Sequence, residues 1–287
     1  MPNTFGSKLE TAFSNYGQLC VGIDPHEELL LDWGLPVSAH GVREFGLKVL
    51  EASVGRVGII KPQVSFFERF GSKGFAALEE IAQQAAKTDL VVIMDAKRGD
   101  IGTTMSAYYE AWLGKQSTLP CAALTVSPYL GFDSLSEVMA SAVERGKGLF
   151  VLSATSNPEG ASLQKATNAG TTVAAEIFGR LNEVNQITAG PNDRLGSFGA
   201  VVGATLNLLG FGLGAIQTAT PQVKTPILAP GFGAQGAELG DISRLFGEGA
   251  DSVIASVSRS VLQAGPAGLH LAIDVAKREL QDGLMAG

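Results

Sequence analysis

The stretch LVVIMDAK (90–97) has five apolar residues in a row and then ends in charge. Such a run, without polar alternation, is typical of a strand covered on both faces, as in a parallel sheet. Seven other runs rich in valine, isoleucine and leucine share this pattern: LCVGID (19–24), VGIIK (57–61), AALTVS (122–127), GLFVLSAT (148–155), FGAVVGAT (198–205), PILAPGFG (226–233) and DSVIASVS (251–258). The sequence therefore predicts eight buried parallel strands.

The spacing of these runs favours a closed barrel over an open sheet. From Asp24 to Ser256, the ends of the first and eighth runs, seven repeats average about 33 residues, the length of a βα unit. No glycine-rich dinucleotide-binding turn follows the first run, and no biased linker divides the chain. We expect one α/β domain over residues 1–287, a TIM (β/α)8 barrel.

Several segments outside the runs are predicted to be helical. The amino-terminal stretch (1–17) is amphipathic, and residues 134–145 combine an apolar stripe with Ser134 and Glu137 at capping-box spacing. Residues 157–192 exceed one unit and predict an extended loop and helix on the barrel rim. A further apolar stripe lies near the carboxyl terminus: Leu269, Ile273, Ala276 and Leu280.

Composition excludes several functional classes. With 45% hydrophobic and 17% charged residues, the chain has the makeup of a folded globular protein. A net charge of −7 without a lysine or arginine cluster argues against a nucleic-acid partner.

The chain also shows no sign of secretion or membrane insertion. Residues 1–17 lack the pattern of a signal peptide. The uncharged stretch Leu195–Val223 is broken by six glycines and favours a buried strand and an apolar helix over a membrane span. Cys20 and Cys121 lie in or beside apolar runs, as buried free thiols do. We expect a cytoplasmic protein without a disulfide.

Charged residues close the first three strands. Active sites of TIM barrels lie at the carboxyl ends of the strands, which is where Asp24, Lys61, Asp95 and Lys97 are predicted. Asp95 and Lys97 are two residues apart, so their side chains should point to the same face. Asp100 follows in a glycine-containing turn, aimed at the same place or at a neighbouring subunit. The alternative is a structural ion pair with a helix N-cap, but buried charge is costly unless function retains it.

A phosphate site is predicted after the seventh and eighth strands, where barrels commonly place one. PGFGAQG (230–236) offers backbone N–H groups and the Gln235 amide, and VSRS (257–260) offers the planar Arg259 guanidinium. The alternative is a helix cap and a surface arginine. Metal-ligand spacing is absent from the three histidines, His26, His40 and His270.

The segment IMDAKRGDIGTT (93–104) resembles the signature of orotidine 5'-phosphate decarboxylases, an Asp-x-Lys-x-x-Asp core followed by Ile or Val, Gly and Thr. The chain length and VGIDPH (21–26) resemble the longer bacterial branch of that family. The resemblance implies a TIM-barrel enzyme that converts orotidine 5'-phosphate to UMP and CO2 in pyrimidine biosynthesis without a cofactor. It also implies a homodimer with shared active sites.

The same resemblance implies a catalytic array of Lys61, Asp95, Lys97 and Asp100, the last from the partner subunit. Lys97 would stabilise the carbanion and donate the proton. Asp95 and Asp100 would hold that ammonium and crowd the substrate carboxylate, while Lys61 would bridge Asp95 and the ribose.

Substrate contacts are implied by the resemblance at five further residues. Asp24 would bind the ribose hydroxyls, and Thr104 would reach across the dimer. Ser156 would read the pyrimidine edge, and Gln235 and Arg259 would hold the phosphate.

Two other functions fit parts of the pattern. A sugar-phosphate decarboxylase or aldolase of the same superfamily would use Mg²⁺ and an acidic ligand where this chain has Lys61, and an ammonium there disfavours a divalent cation. A non-catalytic UMP-binding barrel would gain nothing from the charged array.

Overall fold

Eight parallel strands close into a barrel in the computed structural model, which describes residues 4–287. Each strand pairs with the next along the chain, and the eighth pairs with the first. Every strand overlaps its predicted run, with ends that agree within three residues. The predicted TIM barrel is therefore confirmed. The strands are β1 (Leu19–Ile23), β2 (Ile59–Pro62), β3 (Val91–Arg98), β4 (Ala123–Val126), β5 (Gly148–Ala154), β6 (Phe198–Val202), β7 (Ile227–Pro230) and β8 (Val253–Val257).

Helices surround the barrel and bury their apolar stripes against it. The predicted stripe on the last helix is confirmed, because Leu269, Ile273, Ala276 and Leu280 are all buried. Within residues 4–287 the helices are α1 (Phe5–Tyr16), α2 (Glu27–Asp32), α3 (Ala39–Ser53), α4 (Ser65–Glu68), α5 (Gly71–Ala85), α6 (Gly102–Leu113), α7 (Ser136–Arg145), α8 (Ala161–Gln164), α9 (Val173–Thr188), α10 (Ala215–Thr218), α11 (Ile242–Phe246), α12 (Arg259–Leu262) and α13 (Gly265–Met285).

Helix α1 fills the amino-terminal end of the barrel. The predicted amphipathic helix is present, although residues 1–3 of that prediction lie outside the described residues. Its Phe5 and Leu9 are fully buried, and the Phe5 ring meets the Phe150 ring edge to face at 5.8 Å. A Cβ atom on Gly148 would lie 2.5 Å from the Phe5 ring, so only glycine fits there. The carboxyl-terminal end of the barrel is left to carry the polar side chains.

The predicted capping box at Ser134 and Glu137 is wrong. The chain enters α7 through a 3-10 turn at Phe132–Leu135, and α7 itself begins only at Ser136. The Ser134 hydroxyl donates to the Gly131 carbonyl at 2.7 Å, and within residues 4–287 it accepts no hydrogen bond from a backbone N–H of α7.

The prediction of an apolar helix after β6 is also wrong. A 3-10 turn at Leu208–Phe211 is followed by the four-residue α10, because glycines interrupt the segment and Gly212 adopts φ 72°. No helix in the described range 4–287 has the length and apolarity to cross a membrane.

The long segment 157–192 contains one regular helix and a small insertion. Helix α9 packs against β5 and β6, so it is the helix of the fifth βα unit. The insertion before α9 comprises α8 and a two-stranded antiparallel ribbon, Thr167–Asn168 with Thr171–Thr172.

Candidate active site

Three charged side chains form a continuous chain at the carboxyl ends of β2 and β3. The Lys61 Nζ lies 3.2 Å from Oδ2 of Asp95, and the Lys97 Nζ lies 2.6 Å from Oδ1 of the same carboxylate. The side chains of Lys61 and Asp95 are only 7% and 11% exposed, whereas that of Lys97 is 44% exposed. The structure therefore buries two of the three groups and leaves the Lys97 ammonium facing the open mouth of the barrel.

The pKa values of the two buried groups keep them charged. Burial alone would raise the pKa of Asp95, but Lys61 and Lys97 lower it to about 2, with help from the hydrogen bonds of Lys97 and Thr125. Burial would lower the pKa of Lys61, and the carboxylates of Asp95 and Asp24 raise it above its usual value instead. Both side chains are consequently ionised at neutral pH.

The backbone of β3 is irregular where it carries Lys97. Lys97 has φ 49°, a left-handed conformation that costs a residue with a side chain roughly 1–2 kcal/mol. The register with β4 passes from Met94 opposite Leu124 directly to Arg98 opposite Val126, so β3 has a bulge of two extra residues. Bulges of this kind re-aim side chains near active sites.

Thr125, on β4, spans this bulge and was missed by the sequence reasoning. Its hydroxyl accepts a 2.9 Å hydrogen bond from the Lys97 backbone N–H and donates one of 2.9 Å to Oδ1 of Asp95. The side chain is 1% exposed. A hydroxyl flanked by Leu124 and Val126 within the apolar run 122–127 is the signal that could have drawn attention to it.

Two buried oxygen atoms lie unpaired beside this array. Oδ1 of Asp24, after β1, and Oγ of Ser258, after β8, have no hydrogen-bond partner among residues 4–287. A Cβ atom on Gly22 would lie 3.3 Å from that Asp24 oxygen and 3.1 Å from Cβ of Ser258, so glycine keeps this corner open. Buried polar atoms normally find partners, and unpaired ones at the mouth of a site are suited to a polar ligand. Sequence reasoning identified Asp24 but not Ser258.

The residue predicted to read the pyrimidine, Ser156, and those predicted to bind the phosphate, Gln235 and Arg259, lie on the loops after β5, β7 and β8. The Ser156 hydroxyl, after β5, donates to Oε1 of Gln235, after β7, at 3.3 Å. Arg259 is exposed and begins α12 directly after β8, without a side-chain hydrogen bond or ion pair to the described residues. The loop that carries Gln235 turns tightly through three glycines with positive φ, Gly231, Gly233 and Gly236.

Asp100 and Thr104 are not brought to the array of their own chain. Oδ1 of Asp100 accepts a 2.8 Å hydrogen bond from the Ile101 backbone N–H, and Thr104 is exposed on α6. Within the described chain neither side chain bonds to Lys61, Asp95 or Lys97. Their assignment to the partner subunit's site stays a prediction.

Other titratable groups near the barrel have different surroundings. Cys20 lies buried beside Lys61, and burial raises the pKa of its thiol to about 12. Burial likewise raises the pKa of the Cys121 thiol to about 12. No group of three or more His, Cys, Asp or Glu residues within 4–287 is arranged to hold a metal ion.

Comparison with known proteins identifies the family. A sequence profile described as "Orotidine 5'-phosphate decarboxylase / HUMPS family" matches residues 17–270. The chain belongs to this family. It is similar to the orotidine 5'-phosphate decarboxylases of Streptomyces coelicolor (49% identical over 264 residues, 91% of each chain) and Corynebacterium glutamicum (45% over 278 residues, 96% of each chain).

Solved structures of the orotidine 5'-phosphate decarboxylase family share the fold. The crystal structure of a Streptomyces avermitilis protein assigned as an orotidine 5'-phosphate decarboxylase matches with a TM-score of 0.90 and 46% identity, covering 99% of this chain and 96% of that one. The Leishmania donovani OMP decarboxylase matches with a TM-score of 0.76 and 26% identity, covering 99% of this chain and 100% of that one. The predicted family is confirmed by these matches together with the profile.

Proposed function

We propose that this chain is an orotidine 5'-phosphate decarboxylase, a carboxy-lyase that converts orotidine 5'-phosphate to UMP and CO2 in pyrimidine biosynthesis. The observation that carries the proposal is the pair of salt bridges that joins Lys61, Asp95 and Lys97. Lys61 and Asp95 are buried, and the Lys97 ammonium faces the mouth of the barrel. These salt bridges occur in a chain that is 45–49% identical to several curated orotidine 5'-phosphate decarboxylases.

Lys97 supplies the cation that the reaction needs. Breaking the bond between C6 and the carboxylate leaves the electron pair on C6 of the pyrimidine, with no conjugated sink to accept it. A fixed ammonium beside C6 stabilises this charge as it develops. Lys97 then gives its proton to C6, which forms UMP, and the neutral amine regains a proton from water. The reaction uses no metal and no cofactor.

The remaining charges hold Lys97 in place and act on the substrate. Asp95 stays ionised, fixes the Lys97 ammonium through Oδ1 and places negative charge near the substrate carboxylate, an interaction that is relieved as CO2 leaves. Lys61 neutralises the far side of Asp95 and reaches toward the ribose. Asp100 of the second subunit adds a carboxylate beside Lys97.

Substrate recognition is divided among the loops around the mouth. The unpaired oxygen of Asp24 is suited to accept hydrogen bonds from the ribose hydroxyls. Ser156 contacts the pyrimidine edge and is linked by its hydrogen bond to Gln235, which binds the phosphate together with Arg259. The ligands are thus orotidine 5'-phosphate and UMP, and the net charge of −7 fits no nucleic-acid partner.

We further propose a homodimer with shared active sites, located in the cytoplasm. Exposed large apolar side chains follow Asp100 and Thr104 in the chain, at Ile101 and on α6, and others lie on the loop after β4. Large exposed apolar side chains are suited to an interface, and a two-fold axis would place Asp100 and Thr104 of each chain at the partner subunit's array. These side chains are Ile101 (59% exposed), Tyr108 (37%), Tyr129 (76%) and Leu130 (55%).

Subunit mixing tests the shared site. Lys97→Ala and Asp100→Ala chains, each inactive alone, form mixed dimers in which one site carries both lesions and the other carries none. With random exchange about half of the dimers are mixed and half of their sites are intact, so roughly a quarter of wild-type activity should return. Absence of rescue after demonstrated exchange would assign Asp100 to the site of its own chain.

The loss of ultraviolet absorbance of orotidine 5'-phosphate, measured with and without a chelator, tests the function directly. Turnover that is indifferent to the chelator is the expected result. Turnover abolished by the chelator would indicate a metal-dependent relative, and UMP binding without turnover would indicate a non-catalytic barrel.

A further inference from the structure

The hydroxyl of Thr125 lies at the junction of two features of the site, the Asp95 carboxylate and the displaced backbone of Lys97. It is one of few polar groups in the interior of the barrel, on the same inward face of β4 as Ala123, which belongs to the apolar interior cluster. The side chain is 1% exposed. A buried hydroxyl that uses its one proton and a lone pair is satisfied only in this orientation.

The two hydrogen bonds of Thr125 act on different parts of the same unit. The bond from the Lys97 N–H (2.9 Å) holds the backbone of the bulge, where β4 offers no paired residue between Leu124 and Val126. The bond to Oδ1 of Asp95 (2.9 Å) reaches the same oxygen that contacts the Lys97 ammonium. The hydroxyl therefore holds both the Lys97 backbone, from which the side chain extends, and the Asp95 carboxylate, which binds the Lys97 ammonium.

The left-handed conformation of Lys97 makes this support necessary. A φ of 49° is unfavourable for a lysine and persists only where surrounding contacts determine it. If the backbone relaxed toward an ordinary strand conformation, the ammonium would leave its position beside Asp95. Misplacement of a reacting group by about 1 Å can lower a rate about 100-fold.

We propose that Thr125 is a positioning residue for decarboxylation, whose hydroxyl holds the strained Lys97 backbone and the Asp95 carboxylate in one arrangement. The inference rests on the proposed function. Thr125 acts without touching the substrate, and its effect passes through Lys97 and Asp95.

Thr125→Val tests the proposal because valine keeps the shape of the side chain and removes both hydrogen bonds. We expect kcat to fall roughly 10- to 100-fold while the Kd for UMP changes less than about threefold, since the phosphate and ribose contacts are remote from Thr125. Thr125→Ser, which retains the hydroxyl, should recover most of the wild-type kcat.

Thr225→Val is the matched control. Thr225 is 3% exposed, and its hydroxyl likewise donates one hydrogen bond, to Asn182, and accepts one, from Asn185. It precedes β7 at the opposite end of the barrel, so its loss should lower stability and leave kcat unchanged. An equal loss of kcat in both valine variants would mean general destabilisation and would overturn the proposal.

The other outcomes are equally decisive. An active wild type with a fully active Thr125→Val variant overturns the positioning role and leaves the proposed function intact, whereas an inactive wild type refutes the function itself. If Thr125→Val loses UMP binding to the same extent as kcat, Thr125 has a binding role and the positioning proposal is overturned. If Thr125→Val does not fold by circular dichroism, Thr125→Ala takes its place, and if neither folds the residue is structural and the proposal fails.

Discussion

The substitution Asp95→Asn, which removes the carboxylate between Lys61 and Lys97, should destabilise the protein, and the size of this effect should depend on pH. The pKa of Asp95 is lowered from 3.8 to about 2, a difference equivalent to about 2 kcal/mol of stability. Asp95→Asn also leaves the buried Lys61 ammonium without its nearest counter-charge, and breaking buried pairs costs roughly 3–5 kcal/mol. We expect the free energy of unfolding at pH 7 to fall by roughly 2–5 kcal/mol.

The sign of the pH dependence follows from the direction of the shift. Because the folded-state pKa is lowered, the carboxylate stabilises the native state above pH 3.8 and loses this effect as the pH falls toward 2. By about pH 3 roughly half of the stabilisation from the shift should be gone, so the wild type and Asp95→Asn should converge in stability.

Urea unfolding from pH 7 to pH 3 measures this difference. Asp241→Asn is the control, because Arg244 lowers the pKa of that carboxyl too, but on the exposed surface, where an ion pair contributes little. A difference between Asp95→Asn and wild type that stays constant down to pH 3, or an equal effect of Asp241→Asn, would refute the reasoning.

Three further predictions concern separate parts of the molecule. Lys97→Ala should lower kcat at least about 100-fold while UMP still binds, and retention of more than a few per cent of kcat would exclude it as the proton donor. Arg259→Ala should lower kcat/KM for orotidine 5'-phosphate roughly 10- to 100-fold but not for phosphate-free orotidine, and equal losses on both would make Arg259 structural. Gly148→Ala should lower the free energy of unfolding by roughly 1–3 kcal/mol through collision with Phe5, without changing kcat of the folded enzyme, as urea unfolding and the absorbance assay would show.

The barrel was predictable because its signal is repeated. Eight apolar runs at regular spacing determine strand number, direction and closure, and an error at one end of a run changes none of these. The helix start at Ser134 was not predictable in the same way. A side-chain cap competes with the 3-10 turn that precedes α7, and the outcome depends on tertiary contacts of Leu135, which is fully buried.

The contact between Asp95 and Lys97 was predicted correctly, but from strand periodicity, which is not what produces it in the structure. Two-residue periodicity assumes an extended strand, but Lys97 lies in a bulge with positive φ. The ammonium reaches Asp95 because the bulge and Thr125 redirect it. Thr125 was missed because a single hydroxyl in an apolar run has no periodic signature. Its role depends on contacts with Asp95 and Lys97 of β3, and the fold is needed to show that β3 lies beside β4.

The local irregularities of the chain identify the site independently of the family. Among residues 4–287 only Lys97 and Ala169 combine a side chain with positive φ, and Ala169 lies in the two-residue turn of the ribbon, where that conformation is expected. Unpaired buried side-chain oxygens within the same range belong to Asp24, Ser258 and Tyr109, and Tyr109 lies on α6, the helix that also carries part of the proposed interface. Lys97, Asp24 and Ser258 all follow or end strands at the carboxyl end of the barrel. Strained backbone and unpaired buried polar atoms persist where function outweighs their cost, so these irregularities mark the same mouth of the barrel as the site expected from the family.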